Sequence, residues 1–327
     1  MKSKIKWGII GPGNIARKFS SDLLLIADAE ITAVASRSIK KARQFADEYG
    51  AKHAFDSYDA LFESGTVDIV YIATPHNFHK DLSIKAMANG LHVLCEKPAG
   101  INQAEVKEMI EAAKTHDVFF MEGLWSRFNP SIVKVKELLD KGELGTISYL
   151  HADFAFYGMD RGEDSRVLNL NLASGSLLDI GIYPIFLAYL LMGYPEEILA
   201  KSNFHSNGTE IQTSMLFQYK NAQAVLYSGL TSNSKMEAEI SCTNGNVFIQ
   251  PRWHEAQGFT LEVKDEVNSF ELPTQGNGFV YEIEHVHHCL FNNLKESPLW
   301  SYKNSMDLVA LMDKIRQTTG ISFPFEN

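Results

Sequence analysis

Near the amino terminus, Gly11-Pro12-Gly13-Asn14-Ile15-Ala16 has the composition and spacing of a turn that holds a pyrophosphate. Gly11 permits the tight turn, Gly13 lets the backbone come close to a phosphate, and Ala16 is small enough for a helix to pack closely on a strand. The apolar run Ile5–Ile10 precedes the turn, and a helical pattern from about Asn14 to Ala27 follows it. The turn therefore offers the free N–H groups of Asn14 and Ile15, at the positive end of a helix, to an anion. About twenty-five residues after Gly11, Ser36 and Arg37 close the next apolar run, with Lys40 and Lys41 just beyond. A site for NAD usually carries an acidic residue there to hold the ribose 2′-hydroxyl. A hydroxyl, a guanidinium and lysines suit a 2′-phosphate instead, so NADP(H) is favoured over NAD(H).

A second set of candidates lies further along. Glu96-Lys97-Pro98 follows the apolar run Leu91–Cys95, and Thr74-Pro75-His76-Asn77 follows Val67–Ala73. If those runs are parallel strands, both segments sit at the carboxyl edge where such sheets bind ligands. Pro98 restricts Lys97 to an extended conformation. Thr74, Pro75, Asn77, His79, Glu96 and Lys97 are then expected to line the cofactor edge. No third ligand is spaced near His76 and His79, so no metal site is expected.

These residues need a scaffold, and the pattern supplies one. Helical stretches Asn14–Ala27, Ile39–Tyr49 and Asn77–Ala88 alternate with apolar runs Ile5–Ile10, Ile31–Ala35, Val67–Ala73, Leu91–Cys95 and Val118–Met121. Gly50 and Gly90 stop helices, and Asn102 with Glu105 makes a capping box. Apolar rather than alternating strands mean a sheet covered on both faces. The fold class expected is an α/β Rossmann domain, a doubly wound parallel sheet, over residues 1–122. Residues 123–327 read as an α+β domain with a large, mostly antiparallel open sheet, its hairpins marked by Lys220-Asn221 and Asn244-Gly245.

Asp179 and Tyr183 lie four residues apart, on one face of any helix there, with Pro184 marking a helix start or kink. From these residues alone, a capping carboxylate and a core tyrosine are a better reading than a catalytic pair. A phenol titrates near about 10 and needs a neighbouring cation to serve as a base. Three segments carry a more specific likeness: Glu96-Lys97-Pro98, the run from Met121 to Phe128 and the run from Ser174 to Pro184. They resemble the glucose–fructose oxidoreductase / inositol dehydrogenase (Gfo/Idh/MocA) family, and within it the dimeric dihydrodiol and NADP-dependent D-xylose dehydrogenases. The resemblance extends over essentially the whole chain. It implies Lys97, Asp179 and Tyr183 as catalytic residues, and Trp125, Arg127, Phe154 and Tyr183 near the substrate. Where that subgroup often has three glycines, this chain has Ser174-Gly175-Ser176.

Composition bounds the remainder. The chain has 327 residues and a formal net charge of −10, the wrong sign for a dedicated nucleic-acid binder. Three dispersed cysteines, Cys95, Cys242 and Cys289, fit neither a disulfide framework nor a metal knuckle. The basic start Met1–Lys6 lacks a signal-like apolar run, and the apolar stretch Ile180–Tyr194 reads as a buried helix. A cytoplasmic enzyme without membrane or nucleic-acid partners is expected. It would interconvert a hydroxyl and a carbonyl on a sugar, polyol or cyclic diol and assemble as a homodimer or higher homo-oligomer. The alternatives are a non-catalytic NADP-binding regulator and, more remotely, a methyltransferase on a Rossmann base.

Overall fold

A computed structural model of the chain describes residues 4–264 and 266–326; Met1 to Ser3 of the basic start lie outside the described residues. The chain forms two compact units, unit 1 from Met1–Trp125 with Gln275–Met306, and unit 2 from Ser126–Thr274 with Asp307–Asn327.

Unit 1 is built on the strands β1 (Ile5–Ile10), β2 (Ala29–Ala35), β3 (His53–Phe55), β4 (Ile69–Ile72), β5 (His92–Glu96) and β6 (Phe120–Gly123). They form a parallel sheet in the order β3-β2-β1-β4-β5-β6. The order reverses between β1 and β4, which is where such sheets open a ligand crevice. Register aligns the carboxyl ends in one row, Ala35–Ile10–Ile72–Cys95–Glu122. The helices are α1 (Asn14–Leu23), α2 (Ile39–Tyr49), α3 (Tyr58–Phe62), α4 (His79–Ala88) and α5 (Gln103–Thr115). Gly50 ends α2 at φ +73°, as a left-handed cap requires. The α5 cap is as expected, with the Glu105 N–H donating to Asn102 Oδ1 at 3.0 Å. Two short elements, β3 and α3, escaped the sequence pattern because three to five residues carry too little periodicity. The first helix stops at Leu23 rather than Ala27: Leu25 N–H turns back to Asp22 O, and Leu24 and Leu25 are left exposed.

Unit 2 holds the strands β7 (Ile147–Ala155), β8 (Glu197–Phe204), β9 (Glu210–Tyr219), β10 (Ala222–Gly229), β11 (Ala238–Cys242), β12 (Gly245–Ile249), β13 (Gly258–Val263) and β14 (Glu266–Glu271). Their order is β14-β13-β12-β11-β7-β10-β9-β8, antiparallel except for β7 beside β10. One cross-strand row, Ile198–Phe217–Ala224–Leu150–Ile240, is buried. The next row, Leu199–Leu216–Val225, faces the opposite way, and its Leu199 and Val225 are exposed. Helices α6 (Pro130–Asp140) and α7 (Ile182–Met192) complete the unit's early part. The run Leu170–Met192 is long and apolar enough to cross a membrane, with mean hydropathy 1.6 in an 18-residue stretch, but 78% of that stretch is buried in packing. Buried Ile182, Ile185, Phe186 and Leu187 make α7 the core helix that its sequence suggests.

The last segment departs from the single boundary expected at residue 122. Residues Gln275–Met306, carrying α8 (Val280–Phe291) and the start of α9 (Tyr302–Thr319), belong to unit 1. The physical reason is a set of buried polar and aromatic contacts. Asp22, buried at the end of α1, accepts the N–H groups of Asn277 and Phe279, both at 2.8 Å. Trp7 Nε1–H donates to His287 Nε2 at 3.0 Å, which leaves Nδ1–H for Asp28 at 2.8 Å. Phe279 meets Phe19 edge-on at 5.9 Å, and Phe19 stacks on Tyr71 at 3.7 Å. Each such aromatic pair adds about 0.5–1.5 kcal/mol beyond its buried area.

Candidate active site

The candidate residues fall into two sets, one in each unit. In unit 1 the segments after β1, β2, β4 and β5 leave one sheet edge, bringing together the Gly11 turn, Ser36–Arg37, Thr74–Asn77 and Glu96–Lys97. Gly11 sits at φ +83°, and a Cβ there would lie 3.0 Å from Ala73 O and Thr74 Cγ2. Only glycine fits that position. Gly13 differs: its φ is −99°, and the nearest atom to an added Cβ is Gly11 O at 4.0 Å. Gly13 and Asn14 are exposed, Ile15 is half-buried, and no side chain caps the first turn of α1, which also carries no acidic residue. This cradle fits the pyrophosphate of a dinucleotide, since it leaves N–H groups and space for an anion.

At the end of β2, Ser36 is buried and its Oγ accepts the Ser38 N–H at 3.3 Å. Arg37, Lys40 and Lys41 are exposed, with the Arg37 guanidinium 5.8 Å over the Phe78 ring. Burial pushes the Tyr58 phenol up, and the neighbouring Arg37 charge opposes that shift. His79, expected among the cofactor contacts, has another use. It is fully buried, with Nδ1 2.8 Å from Pro98 O and Nε2 2.8 Å from Thr74 O. Burial lowers its pKa while the two carbonyls oppose that shift, so His79 acts by tying two edge segments together.

Lys97 is half-buried, and the Lys97–Pro98 peptide is cis. Its segment is held on both sides. Tyr71 Oη–H donates to Glu96 Oε1, and Glu122 Oε1 accepts the Ala99 N–H at 2.9 Å. The other Glu122 oxygen accepts from Trp300 Nε1 at 3.0 Å and from Ser305 Oγ at 2.8 Å. Burial raises the Glu122 pKa, against those hydrogen bonds and the Lys97 charge. Trp125 is buried and stacks on Phe279 with ring centres 4.9 Å apart.

In unit 2, Asp179 lies in a π-helical turn, Leu177–Gly181, that leads into α7. Pro184 explains the widened turn, since it has no N–H to give to Ile180. Tyr183 follows in the first turn of α7, buried, with its ring centre 5.5 Å from Phe154 and 5.4 Å from His254. Asp179 is 7% exposed and accepts Arg166 Nη1–H at 2.9 Å. Arg127 is buried, and desolvation lowers its guanidinium pKa.

The serines flanking Gly175 are both used. Ser174 Oγ bonds to Arg166 O at 2.7 Å and to Asn169 O at 2.6 Å, fixing the loop that carries Arg166. Ser176 Oγ donates to Glu210 Oε1 at 2.6 Å, and Leu177 N–H donates to Glu210 Oε2 at 2.8 Å. Gly175 alone needs to be glycine, at φ +132° with Glu210 Oε2 3.0 Å from a would-be Cβ. Burial raises the Glu210 pKa despite these donors.

Sequence reasoning missed Arg166, His254, Phe279, Tyr71 and Glu122. Arg166 lies in an irregular loop, and Phe279 meets its partners across more than 150 residues; no local signal exists for either. Glu122 sits one residue beyond the expected strand Val118–Met121, and the family-like run from Met121 to Phe128 that contains it was the available signal. Among the described residues, no group of three His, Cys, Asp or Glu side chains is placed to hold a metal ion.

Comparisons with known proteins address the family and the fold. Residues 5–124 match a family model described as an oxidoreductase family, NAD-binding Rossmann fold, and residues 132–248 match the GFO/IDH/MocA C-terminal domain. The trans-1,2-dihydrobenzene-1,2-diol dehydrogenase of Mus musculus is 34% identical over 98% of both chains, and that of Homo sapiens 32% over 98% of both. A 3-ketoreductase from Actinomadura kijaniata, solved with NADP and TDP-benzene, superposes with a TM-score of 0.88 at 25% identity, covering 97% of this chain and 98% of that one. An aldose-aldose oxidoreductase from Caulobacter crescentus shares the fold, with a TM-score of 0.88 at 23% identity over 97% of this chain and 98% of that one. Two matching family models and full-length likeness at this level make the chain a member of the GFO/IDH/MocA family of oxidoreductases.

Proposed function

We propose that this chain is an NADP(H)-dependent oxidoreductase that interconverts a hydroxyl and a carbonyl on a sugar, a polyol or a cyclic diol. The observation that carries the reading is the row of strand ends in unit 1, which collects the Gly11–Gly13 cradle, the Ser36–Arg37–Lys41 rim and Glu96–Lys97 on one edge. The exposed Arg37 and Lys41 support a preference for the 2′-phosphate, as does the NADP held by the Actinomadura kijaniata 3-ketoreductase. When bound, the nicotinamide supplies or accepts the hydride. Gly11, Gly13, Asn14 and Ile15 hold the pyrophosphate by their backbone; Thr74, Pro75, Asn77 and Glu96 line the same edge.

Tyr183 gives its phenolic proton to the carbonyl oxygen in reduction and takes it back from the hydroxyl in oxidation. An unassisted phenol titrates near about 10, and the resemblance to the family implies Lys97 as the cation that assists it. Asp179, held by Arg166, orients the proton-transfer group. Trp125, Arg127 and Phe154 shape the substrate's surroundings. The free Cys95, Cys242 and Cys289 support a reducing, cytoplasmic setting. The apolar row Leu199–Leu216–Val225 supports a homodimer formed through the sheet.

The test is a titration with NADPH and NADH, followed by a nicotinamide absorbance assay over sugars, polyols and cyclic diols. NADPH should bind at least about tenfold more tightly, the worth of one charge-assisted contact. Equal affinities would refute the rim assignment, and no turnover on any of the three substrate classes would refute the activity.

A further inference from the structure

A buried carboxyl in unit 2 collects more hydrogen bonds than strand pairing needs. Glu210 opens β9 and is 2% exposed. Its Oε1 accepts Ser176 Oγ–H at 2.6 Å and Thr213 Oγ1–H at 2.8 Å, and its Oε2 accepts the Leu177 N–H at 2.8 Å. The Ser176 backbone adds a further hydrogen bond. Together these match the acceptor sites of a carboxylate. Ser176 and Thr213 each have one hydroxyl hydrogen, already given to Glu210. Ser228 Oγ, 2.9 Å from Ser176 Oγ, and Ser202 Oγ, 2.7 Å from Thr213 Oγ1, must therefore donate to them. All of these hydroxyl residues are buried, so hydroxyls from β8, β9 and β10 converge on one carboxylate.

The grip falls on one stretch of backbone. Leu177 begins the π-helical turn Leu177–Gly181, and Ser176 before it gives that turn no side-chain cap. Glu210 supplies the cap from a neighbouring strand, and its charge suits the positive end of a helical segment. The far end of the turn is held as well. A Cβ on Gly181 would lie 2.8 Å from Ser228 Oγ, so this glycine is pressed against the serine that bonds Ser176. Asp179 stands between the two anchors, and Tyr183 follows two residues after the second. Pro184 withholds an N–H from the same stretch, so the turn leans on outside partners for its position. Burying an anion is a costly way to hold a turn, and it is understandable where the placement of the turn matters.

We propose that Glu210 is a positioning residue for the reaction, setting where the π turn places Asp179 and Tyr183. It acts through those two residues and not on the substrate. This inference rests on the proton-transfer reading above. Displacing a catalytic group by about 1 Å can cost about a hundredfold in rate.

The experiment follows oxidation of D-xylose and of trans-cyclohexane-1,2-diol with NADP⁺, using wild type, Glu210→Ala, Glu210→Gln and Glu210→Asp. Rates are expressed per NADPH-binding site, so that only folded protein counts. Glu210→Ala should lower kcat about a hundredfold, with KM and NADPH affinity little changed. In Glu210→Gln the amide oxygen still accepts the Leu177 N–H, and the amide N–H groups meet hydroxyls that can rotate to accept. Its kcat should stay at least about tenfold above that of Glu210→Ala. Glu210→Asp keeps the charge but shortens the reach by one methylene, and it should fall below Glu210→Gln. Asp above Gln, or variants that lose only stability while kcat per site is unchanged, would overturn the proposal; the Gln–Asp ranking decides even if Glu210→Ala fails to fold. In a Tyr183→Phe background, Glu210→Ala should cost less than about threefold more, whereas a full additional loss means that the two residues act independently and overturns it. Retained turnover in Tyr183→Phe refutes the proton assignment alone, and the ranking still judges Glu210. If wild type oxidises neither compound, the activity reading fails, and hydrogen exchange judges the grip: amides from Leu177 to Tyr183 should exchange faster in Glu210→Ala but not in Glu210→Gln, and unchanged exchange would overturn it.

Discussion

Gly13→Ala separates what the glycine turn does for folding from what it does for binding. The backbone at Gly13, φ −99° and ψ −168°, is open to any residue, and an added methyl meets nothing closer than Gly11 O at 4.0 Å. Replacing a helix N-cap glycine by alanine costs a fraction of about 1 kcal/mol, and the stiffer unfolded chain returns about 0.4–1 kcal/mol. Stability should therefore change by less than about 1 kcal/mol. Binding should not be spared, because the methyl stands at the exposed mouth of α1 where a pyrophosphate must approach the N–H groups. Displacing one charge-assisted hydrogen bond costs about 1.5–3 kcal/mol, or about ten- to a hundredfold in NADPH affinity. Gly11→Ala is the control with the opposite signature. Its φ of +83° and its 3.0 Å approaches to Ala73 O and Thr74 Cγ2 put the damage in the fold. The left-handed strain costs about 1–2 kcal/mol and the overpacking about 1–3 kcal/mol more. Urea denaturation and calorimetric NADPH titration on the three proteins make the comparison. If Gly13→Ala binds NADPH as wild type does, the turn is not the phosphate site. If it unfolds as early as Gly11→Ala, the geometric argument fails.

Three further outcomes are expected. Tyr183→Phe should lose about 10²–10⁴-fold in turnover, the worth of general acid–base catalysis, with NADPH affinity little changed; Tyr183→Phe within a few-fold of wild type while Lys97→Met loses nearly all activity would transfer the proton role to Lys97. Glu282→Gln should flatten the pH dependence of stability. Glu282 is fully buried, neither carboxyl oxygen has a hydrogen-bond partner among the described residues, and burial together with Glu96 and Glu122 pushes its pKa well up. A carboxyl raised in the folded state stabilises most below its unfolded pKa, and that contribution is lost as pH rises through the folded value. Wild type should thus weaken relative to Glu282→Gln between pH 5 and pH 8 in urea midpoints (about these limits, bracketing neutrality), and parallel curves would refute the buried-acid reading. Val225→Glu, on the exposed row of the sheet, should shift the protein to a monomer in light scattering without altering its melting, and a wild type that is already monomeric would refute the dimer.

The nucleotide-binding half of the fold was open to reading because its signals are local. The turn at Gly11–Ala16, the cap at Asn102 and the stop at Gly50 each act within a few residues, through backbone sterics and hydrogen bonds that the residue types themselves set. The apolar strands of a doubly covered sheet are likewise written in composition. Resemblance extended the reading to Lys97, Asp179 and Tyr183, and the structure puts Asp179 and Tyr183 where a π turn passes into α7.

Long-range partners were not open to reading in that way. Asp22 bonds to Asn277 across 255 residues and Trp7 to His287 across 280, so the return of residues Gln275–Met306 to unit 1 had no local trace. The serines beside Gly175 gave no hint of their partners either, since Glu210 and the Asn169 carbonyl reach them only once the sheet and the preceding loop have formed. The same holds for Arg166 beside Asp179 and for His254 beside Phe154 and Tyr183. By itself the sequence determined the longer elements, the glycine turn between β1 and α1 and the kinds of chemistry available, because these follow from propensity, periodicity and spacing. Tertiary structure alone decided which buried polar groups meet, because a hydrogen bond or ring contact between distant segments depends on chain path and leaves no periodic mark on either partner.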